Sequence, residues 1–266
     1  MFKKFIQIWN KVTKRQKFIL SVVFLSLIPF ASEHFFVRSS IYIAFFISVL
    51  TDILLFWSTR GDLKENFFPQ IFILPFFYSL SFSLFYFLIP GRFLTRLFMS
   101  SLYAFGLYSL LLSQNIFIVS SIRTIALLSS ARTVSLIIAL LSYFFIANVV
   151  FSLHLNVFFT LFLIFCISFP LILQSIWTYT LSNNLAADIQ WVLFLSLCLT
   201  EIALVLWFWP VIPTIIGLFL AGFFYITVGL SHVWFDKRLF KSVMWEYIWV
   251  AVIVFSVFIF FSFRSG

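Results

Sequence analysis

The chain has 266 residues, of which 64% are hydrophobic and only 9% are charged. Soluble domains contain about 25% charged residues, so this composition excludes a soluble fold with a polar surface. The net charge of +9 would suggest a nucleic-acid partner in a soluble protein. Here the basic residues lie between long apolar runs and do not share one face, so we expect no nucleic acid and interpret them as topology signals beside anionic lipid.

The apolar runs decide the fold class. Inside a bilayer, backbone groups must be hydrogen-bonded within a helix or a closed barrel. Barrel strands alternate apolar and polar residues over about 10 positions, whereas the runs here are about twice as long and do not alternate. The sequence therefore predicts an all-α, polytopic transmembrane helical bundle, with residues 17–266 as the transmembrane domain.

Residues 1–16 are rich in basic side chains and contain no acid. On a helical wheel, most of the apolar residues gather on one side, which predicts an amphipathic helix lying on anionic lipid. The alternative is a disordered basic tail. The residues expected to anchor this segment to headgroups are Lys3, Lys4, Lys11, Lys14 and Arg15.

Nine spans follow, each close to the length of about 20 residues that crosses the hydrocarbon. They are predicted at 17–38, 39–57, 67–89, 97–119, 133–153, 157–182, 189–209, 211–230 and 244–262. The first could be a cleaved signal peptide, but its basic region is long and no A-x-A site follows. The polar stretch 114–132 predicts the end of the fourth span and a short surface helix. The bend at Trp209 and Pro210 leaves open one broken hairpin there, and the sequence leaves open whether there are eight or nine spans.

Basic residues predict the orientation. With a cytoplasmic N-terminus, the inside segments hold thirteen Lys and Arg residues and the outside segments hold four. This bias predicts an N-terminus inside and a C-terminus outside, in a plasma membrane. Lys237, Arg238 and Lys241, with neighbouring Trp residues, predict a further headgroup-anchoring belt.

Two carboxyl residues lie within apolar runs, where an ionisable group costs about 2.5–3.5 kcal/mol on insertion scales. Glu201 falls just past the middle of the seventh predicted span, and Asp52 lies above the cytoplasmic end of the second. Each could serve as a proton carrier, a cation ligand or a general acid. The structural alternative is a hydrogen-bonded carboxyl in helix packing, with Arg123 as a partner for Asp52.

Two further groups of polar residues are weaker candidates. Gln114, Asn115 and Arg123 form a polar cluster that could bond across helices. Glu33 and His34 form an external pair at the end of the first span. Common enzyme and nucleotide-binding motifs are absent from the sequence, and the three histidines fall on different predicted loops, so we expect no metal and no cofactor.

A resemblance to a known family rests on several stretches. They are GLYSLLLSQNIFIVSSIRTIALLSSARTVSLIIALL, FSLHL, FPLILQSIW and KRLFKSVMWEYIWV. Over about residues 70–264 the chain resembles a polytopic membrane protein family of candidate-phylum and other uncultured bacteria, a domain of unknown function. The resemblance implies a bacterial plasma-membrane protein and no particular activity.

Three classes of function remain. The first is a non-enzymatic envelope component that binds lipid or a partner protein. The second is a small-solute or proton-coupled transporter that uses Glu201 and Asp52. The third is an enzyme that acts on a lipid-linked substrate. A solid bundle with an unpartnered face would favour the first, and a water-filled path to Glu201 would favour the second.

Overall fold

The computed structural model describes residues 13–35, 40–63, 68–89, 93–120, 126–181, 185–237 and 240–265. Within these ranges, the side chains of residues 30–35, 185–187, 264 and 265 are not described. Within these residues the secondary structure is helical, without strands. The helices are α1 (Lys14–Phe35), α2 (Ser40–Thr59), α3 (Ile73–Leu88), α4 (Phe93–Ser120), α5 (Leu128–Ser152), α6 (Val157–Thr180), α7 (Leu185–Trp207), α8 (Pro213–Phe235) and α9 (Lys241–Ser265). A 3-10 turn, Pro69–Phe72, leads directly into α3.

The predicted spans and the described helices follow the same order. The all-helical fold is confirmed, and the helices α2 to α9 are each long and apolar enough to cross a membrane, counting the 3-10 turn with α3. The helix α1 is not among these eight, so the ninth span stays a prediction. Because α7 ends at Trp207 and α8 begins at Pro213, the structure favours two spans there over one broken hairpin.

Two boundaries differ from the prediction. The helix α1 begins at Lys14, so Lys14 and Arg15 belong to the helix of the first predicted span; residues 1–12 of the predicted interfacial helix lie outside the described residues. The helix α5 begins at Leu128, so a separate surface helix over 128–132 is wrong. The physical reason is that Arg132 bonds to the end of α6 and holds this segment in the bundle.

Consecutive helices run in opposite directions, which gives the bundle two ends. The proximal end is where α1 begins, and there Lys14 pairs with Asp62 just after α2. The distal end is the opposite one, where the Trp207 indole N–H donates to the Leu155 carbonyl at 3.3 Å. At this same end the Trp209 indole N–H donates to Ser262 Oγ at 2.7 Å.

The core is built around α5, which packs against α3, α4, α6 and α8. Tyr143 of α5 is fully buried, shares a hydrogen bond with Ser168 of α6 at 3.0 Å, and stacks on Phe224 of α8 at 4.6 Å. The helices α5 and α8 approach closely at Gly217, where an added Cβ would lie 3.2 Å from two backbone atoms of α5. Small residues at such crossings are how membrane helices gain packing contacts.

Two helices lie at the edge of the bundle. The helix α7 packs mainly on α6, with a smaller contact to α8. The helix α9 packs on α8, and only 6% of its apolar span is buried. Large exposed apolar side chains follow from this arrangement and suit a lipid environment.

Candidate functional site

The helix α7 has a buried face and an outward face. Its buried face is formed by small and aliphatic residues that pack into the bundle, namely Val192, Leu195, Leu199, Ala203 and Leu206. Phe194 and Leu197 on the outward face are 58% and 44% exposed. Glu201 lies among these exposed apolar residues and is itself exposed.

The Glu201 carboxyl has no hydrogen-bond or ion-pair partner among the described residues. It lies six residues before Trp207, and hence about 9 Å from the distal end of α7. The structural alternative, a Glu201 carboxyl hydrogen-bonded in helix packing, is not observed among the described residues, because Leu199 and Ala203 occupy the face that packs inward. A charged carboxyl at this depth is costly in hydrocarbon.

A regular set of exposed residues runs along the outward face, at alternating intervals of four and three positions. We call it the α7 seam; its members are Gln190, Phe194, Leu197, Glu201 and Leu204. The sequence analysis identified Glu201 but missed Gln190, which lies three turns away on the same face. The interval of eleven residues between the two polar positions was the signal that could have found it.

Asp52 lies on a different part of the bundle. It is half-buried in α2, and its Oδ1 atom is buried without a hydrogen-bond partner. The helix α2 packs mainly on α3 and α1, whereas α7 packs mainly on α6. Asp52 and Glu201 therefore belong to separate parts of the bundle, and Arg123, the suggested partner of Asp52, lies outside the described residues.

Beside Asp52, a buried polar network joins three helices. Thr51 of α2 and Ser79 of α3 share a hydrogen bond at 2.8 Å, and Ser79 shares another with the Tyr103 hydroxyl of α4 at 3.0 Å. Thr51 also donates to the Ile47 carbonyl at 2.8 Å. Hydroxyl groups satisfied in this way hold α2, α3 and α4 together and need no ligand.

The residues around Gln114 form a cluster of buried amides near the proximal end. Gln114 of α4 and Gln174 of α6 are fully buried, and each lies one turn from an aromatic residue, Phe117 and Trp177, whose rings are 6.3 Å apart. Gln70 belongs to the 3-10 turn, which contacts both helices.

Several polar atoms of this amide cluster have no hydrogen-bond partner: Gln70 Oε1, both amide atoms of Gln114, Gln174 Oε1 and Trp177 Nε1. Asn115 Oδ1 on α4 is likewise buried and without a partner. Such neutral amides suit a water molecule or tight packing better than acid–base chemistry.

A second proximal group closes the end of α6. Arg132 donates to the carbonyl oxygens of Thr178 and Tyr179, both at 3.0 Å, and its guanidinium lies 4.4 Å from the Tyr179 ring centre. His232 is buried in the last turn of α8, not in a loop as expected, and stacks on Tyr179 at 3.8 Å. A cation at a helix C-terminus satisfies its free carbonyls, so this group stabilises the fold.

The remaining predicted site residues do not converge. The backbone of Glu33 and His34 lies in the last turns of α1, and their side chains are not described. Within the bundle, Lys14 donates a hydrogen bond to the Asp62 carboxylate, and Arg15 donates one to the Tyr108 hydroxyl. Lys237 and Lys241 are exposed at the proximal end, while Lys3, Lys4, Lys11 and Arg238 lie outside the described residues.

Two cavities on the described residues are lined by residues other than Asp52 and Glu201. A cavity of about 350 Å³ opens at the distal end and is lined by His154, Trp207 and Trp209 among others. An apolar groove of about 270 Å³ runs between α8 and α9 beside Gly222 and Val254. In the described part of the chain, no group of His, Cys, Asp and Glu residues could hold a metal ion.

Helices of this length and hydropathy, in short-looped antiparallel order, define the chain as a polytopic α-helical integral membrane protein. The chain belongs to the family described as a protein of unknown function, DUF5656, whose model matches residues 17–261. The expected membership in a family of unknown function is confirmed, and the match begins earlier than the resemblance at residue 70. No curated protein and no solved structure matches the chain.

Proposed function

We propose that this chain is a non-enzymatic membrane component that binds a partner membrane protein through the outward face of α7. The observation that carries this proposal is the exposed, unpartnered carboxyl of Glu201 within an apolar candidate span. The partner supplies a hydrogen-bond donor at the depth of Glu201. Apolar side chains around Glu201, such as Phe194 and Leu197, supply the packing surface.

The physical argument concerns the cost of leaving Glu201 against lipid. An acidic residue inside the hydrocarbon costs about 2.5–3.5 kcal/mol on insertion scales, and such residues almost always face a bundle interior or a water-filled cavity. Among the described residues Glu201 is exposed on the outside of the bundle and lines neither of the two cavities. A partner helix with a donor group would replace lipid by a hydrogen bond, which contributes about 0.6–2 kcal/mol in membranes.

The other classes of function have less support. A transporter that uses Glu201 and Asp52 needs a path to them, and the cavities at the distal end and beside α9 are lined by other residues. An enzyme acting on a lipid-linked substrate needs convergent polar groups, whereas the two carboxyls lie on helices with different neighbours. Binding of lipid chains alone would not supply a hydrogen-bond donor to the Glu201 carboxyl.

We further propose that the proximal end is cytoplasmic in a bacterial plasma membrane, with the C-terminus outside. The support is the sequence count of thirteen basic residues on the segments predicted inside against four on those predicted outside. Lys237 and Lys241 are exposed there beside the 61% exposed Trp234. Anionic headgroups are therefore expected to contact the proximal end, in addition to the protein partner at α7.

A site-specific crosslinking experiment tests the proposed function. A photo-reactive amino acid replaces Leu197 in the full chain, and the matched control replaces Phe46 of α2, which is 62% exposed on another helix. After irradiation of native membranes, we expect a protein adduct from position 197 and only lipid adducts from position 46.

Substitutions at Glu201 make this test specific. Glu201→Leu removes the polar group and is expected to abolish the protein adduct, whereas Glu201→Gln retains donor and acceptor atoms and should keep it. Both variants should insert and fold, because the Glu201 side chain is exposed on the outside of the bundle. Lipid adducts alone at both positions, or adducts that ignore Glu201→Leu, would contradict the proposal.

A further inference from the structure

We infer that the partner is a second copy of this chain, paired seam to seam through α7 in a two-fold symmetric dimer. This inference rests on the proposed function, because it names the protein that covers Glu201. It adds a specific geometry, with α7 of each copy parallel to α7 of the other. Glu201 and Gln190 then lie in the contact between the two helices.

The spacing of the α7 seam supports a helix pair. Gln190, Phe194, Leu197, Glu201 and Leu204 follow one another at intervals of four, three, four and three residues. Such alternation keeps one stripe of a helix facing a partner in a left-handed coiled coil. Gln190 and Glu201 point within about 20° of each other on the helical wheel, near the middle of the outward face.

Membrane topology makes the pairing parallel. Copies of one chain insert in the same orientation, so a dimer axis along the membrane normal relates two parallel α7 helices. In a parallel pair, each seam residue meets the same residue of the other copy. One symmetry operation therefore brings Glu201 against Glu201 and Gln190 against Gln190, at two levels about 16 Å apart.

Both polar contacts are self-complementary. A glutamine amide carries two N–H donors and a carbonyl acceptor, so two of them bond to each other. Two carboxyl groups that hold one proton between them are complementary in the same way. The O–H of one group then donates to the oxygen of the other, which is a short and strong hydrogen bond. An unrelated partner would need suitable groups at both levels.

The experiment uses the full chain, purified and reconstituted in liposomes, where no other protein is present. Cys166→Ala and Cys198→Ala first remove the two native thiols, which are exposed and half-buried. Single cysteines then replace Leu197 or Leu204 in the seam, and Phe46→Cys on α2 is the matched control. An oxidant joins thiols that meet, and the fraction of disulfide-linked dimer is measured on a gel.

We expect dimer from the cysteines at positions 197 and 204, and background levels from Phe46→Cys. Adding Glu201→Leu should lower the disulfide-linked fraction at each protein-to-lipid ratio, as a dimer with an about five- to thirtyfold higher dissociation constant would, while Glu201→Gln should leave that fraction near the native value. Seam cysteines that link no better than the control would overturn the second-copy inference. The photo-crosslinking result in native membranes then separates the proposed function from the second-copy inference. A protein adduct at position 197 would keep the proposed function with a different partner. If no protein adduct forms at position 197, both the proposed function and the second-copy inference are contradicted.

Discussion

Gly217 of α8 offers a direct test of the close contact between α8 and α5. A Cβ atom added at Gly217 would lie 3.2 Å from Asn148 N and 3.2 Å from Phe144 O. Both are backbone atoms of a buried helix, so neither can rotate away as the end of a side chain could. The two helices must therefore separate to accept any side chain larger than hydrogen at this position.

The size of the effect follows from what the separation disturbs. Overpacking a well-filled core costs about 1–3 kcal/mol. Separation also stretches the bond from Asn148 Nδ2 to Thr214 Oγ1, now 3.1 Å, and loosens the stacking of Tyr143 on Phe224. A hydrogen bond between membrane helices contributes about 0.6 kcal/mol on average. We expect Gly217→Ala to lower the free energy of unfolding by about 1 kcal/mol and Gly217→Val by about 2–3 kcal/mol.

Unfolding in mixed micelles with increasing denaturing detergent measures this change. The matched control is Gly61→Ala, because a Cβ at Gly61 would meet no atom within 4 Å and its φ angle is not positive. That control should change stability by less than about 0.5 kcal/mol. If Gly217→Val were as stable as the native chain, the close α5–α8 packing and the reasoning built on it would be refuted.

Three further predictions concern the amide cluster, the topology and the N-terminus. Gln114→Leu should raise the melting temperature in detergent, because it removes two buried amide atoms that lack partners; a fall would mean that the amide has a bound partner such as water. Reporter fusions after Lys64, Arg132 and Lys241 should all report cytoplasm, and one at Gly266 the outside; any reversed signal breaks the nine-span topology at that point. A peptide of residues 1–14 should gain helical circular dichroism with anionic vesicles and lose it at high salt, whereas no helicity would make the segment a disordered tail.

The number and order of the helices could be predicted because bilayer thickness fixes the length of each apolar run. The boundaries were less predictable, because they depend on contacts between distant parts of the chain. Arg132 was interpreted as a topology signal, yet it bonds to carbonyls of Thr178 and Tyr179 and so belongs to α5. Nothing in the local sequence around Arg132 indicates this partnership.

The outward orientation of Glu201 could not be predicted from α7 alone. This helix is apolar on nearly all sides, so its sequence does not show which stripe packs inward. Leu199 is fully buried, whereas Leu197 is 44% exposed, and the two differ only in their position around the helix. The sequence did identify Glu201 as the residue that needs explaining. Its surroundings depend on where α6 and α8 pack, which is a property of the whole fold.

The most direct test of the central claim, that a second copy of this chain covers the outward face of α7, is the exposure of that face to lipid. A spin label at Leu197→Cys, in the background without native thiols, reports collisions with oxygen dissolved in the bilayer, and a label at Phe46→Cys gives the lipid-exposed reference. At high protein-to-lipid ratio in liposomes we predict a lower collision rate at position 197 than at position 46, rising as lipid dilutes the protein. A collision rate at position 197 that stays the same at every protein-to-lipid ratio would contradict the account.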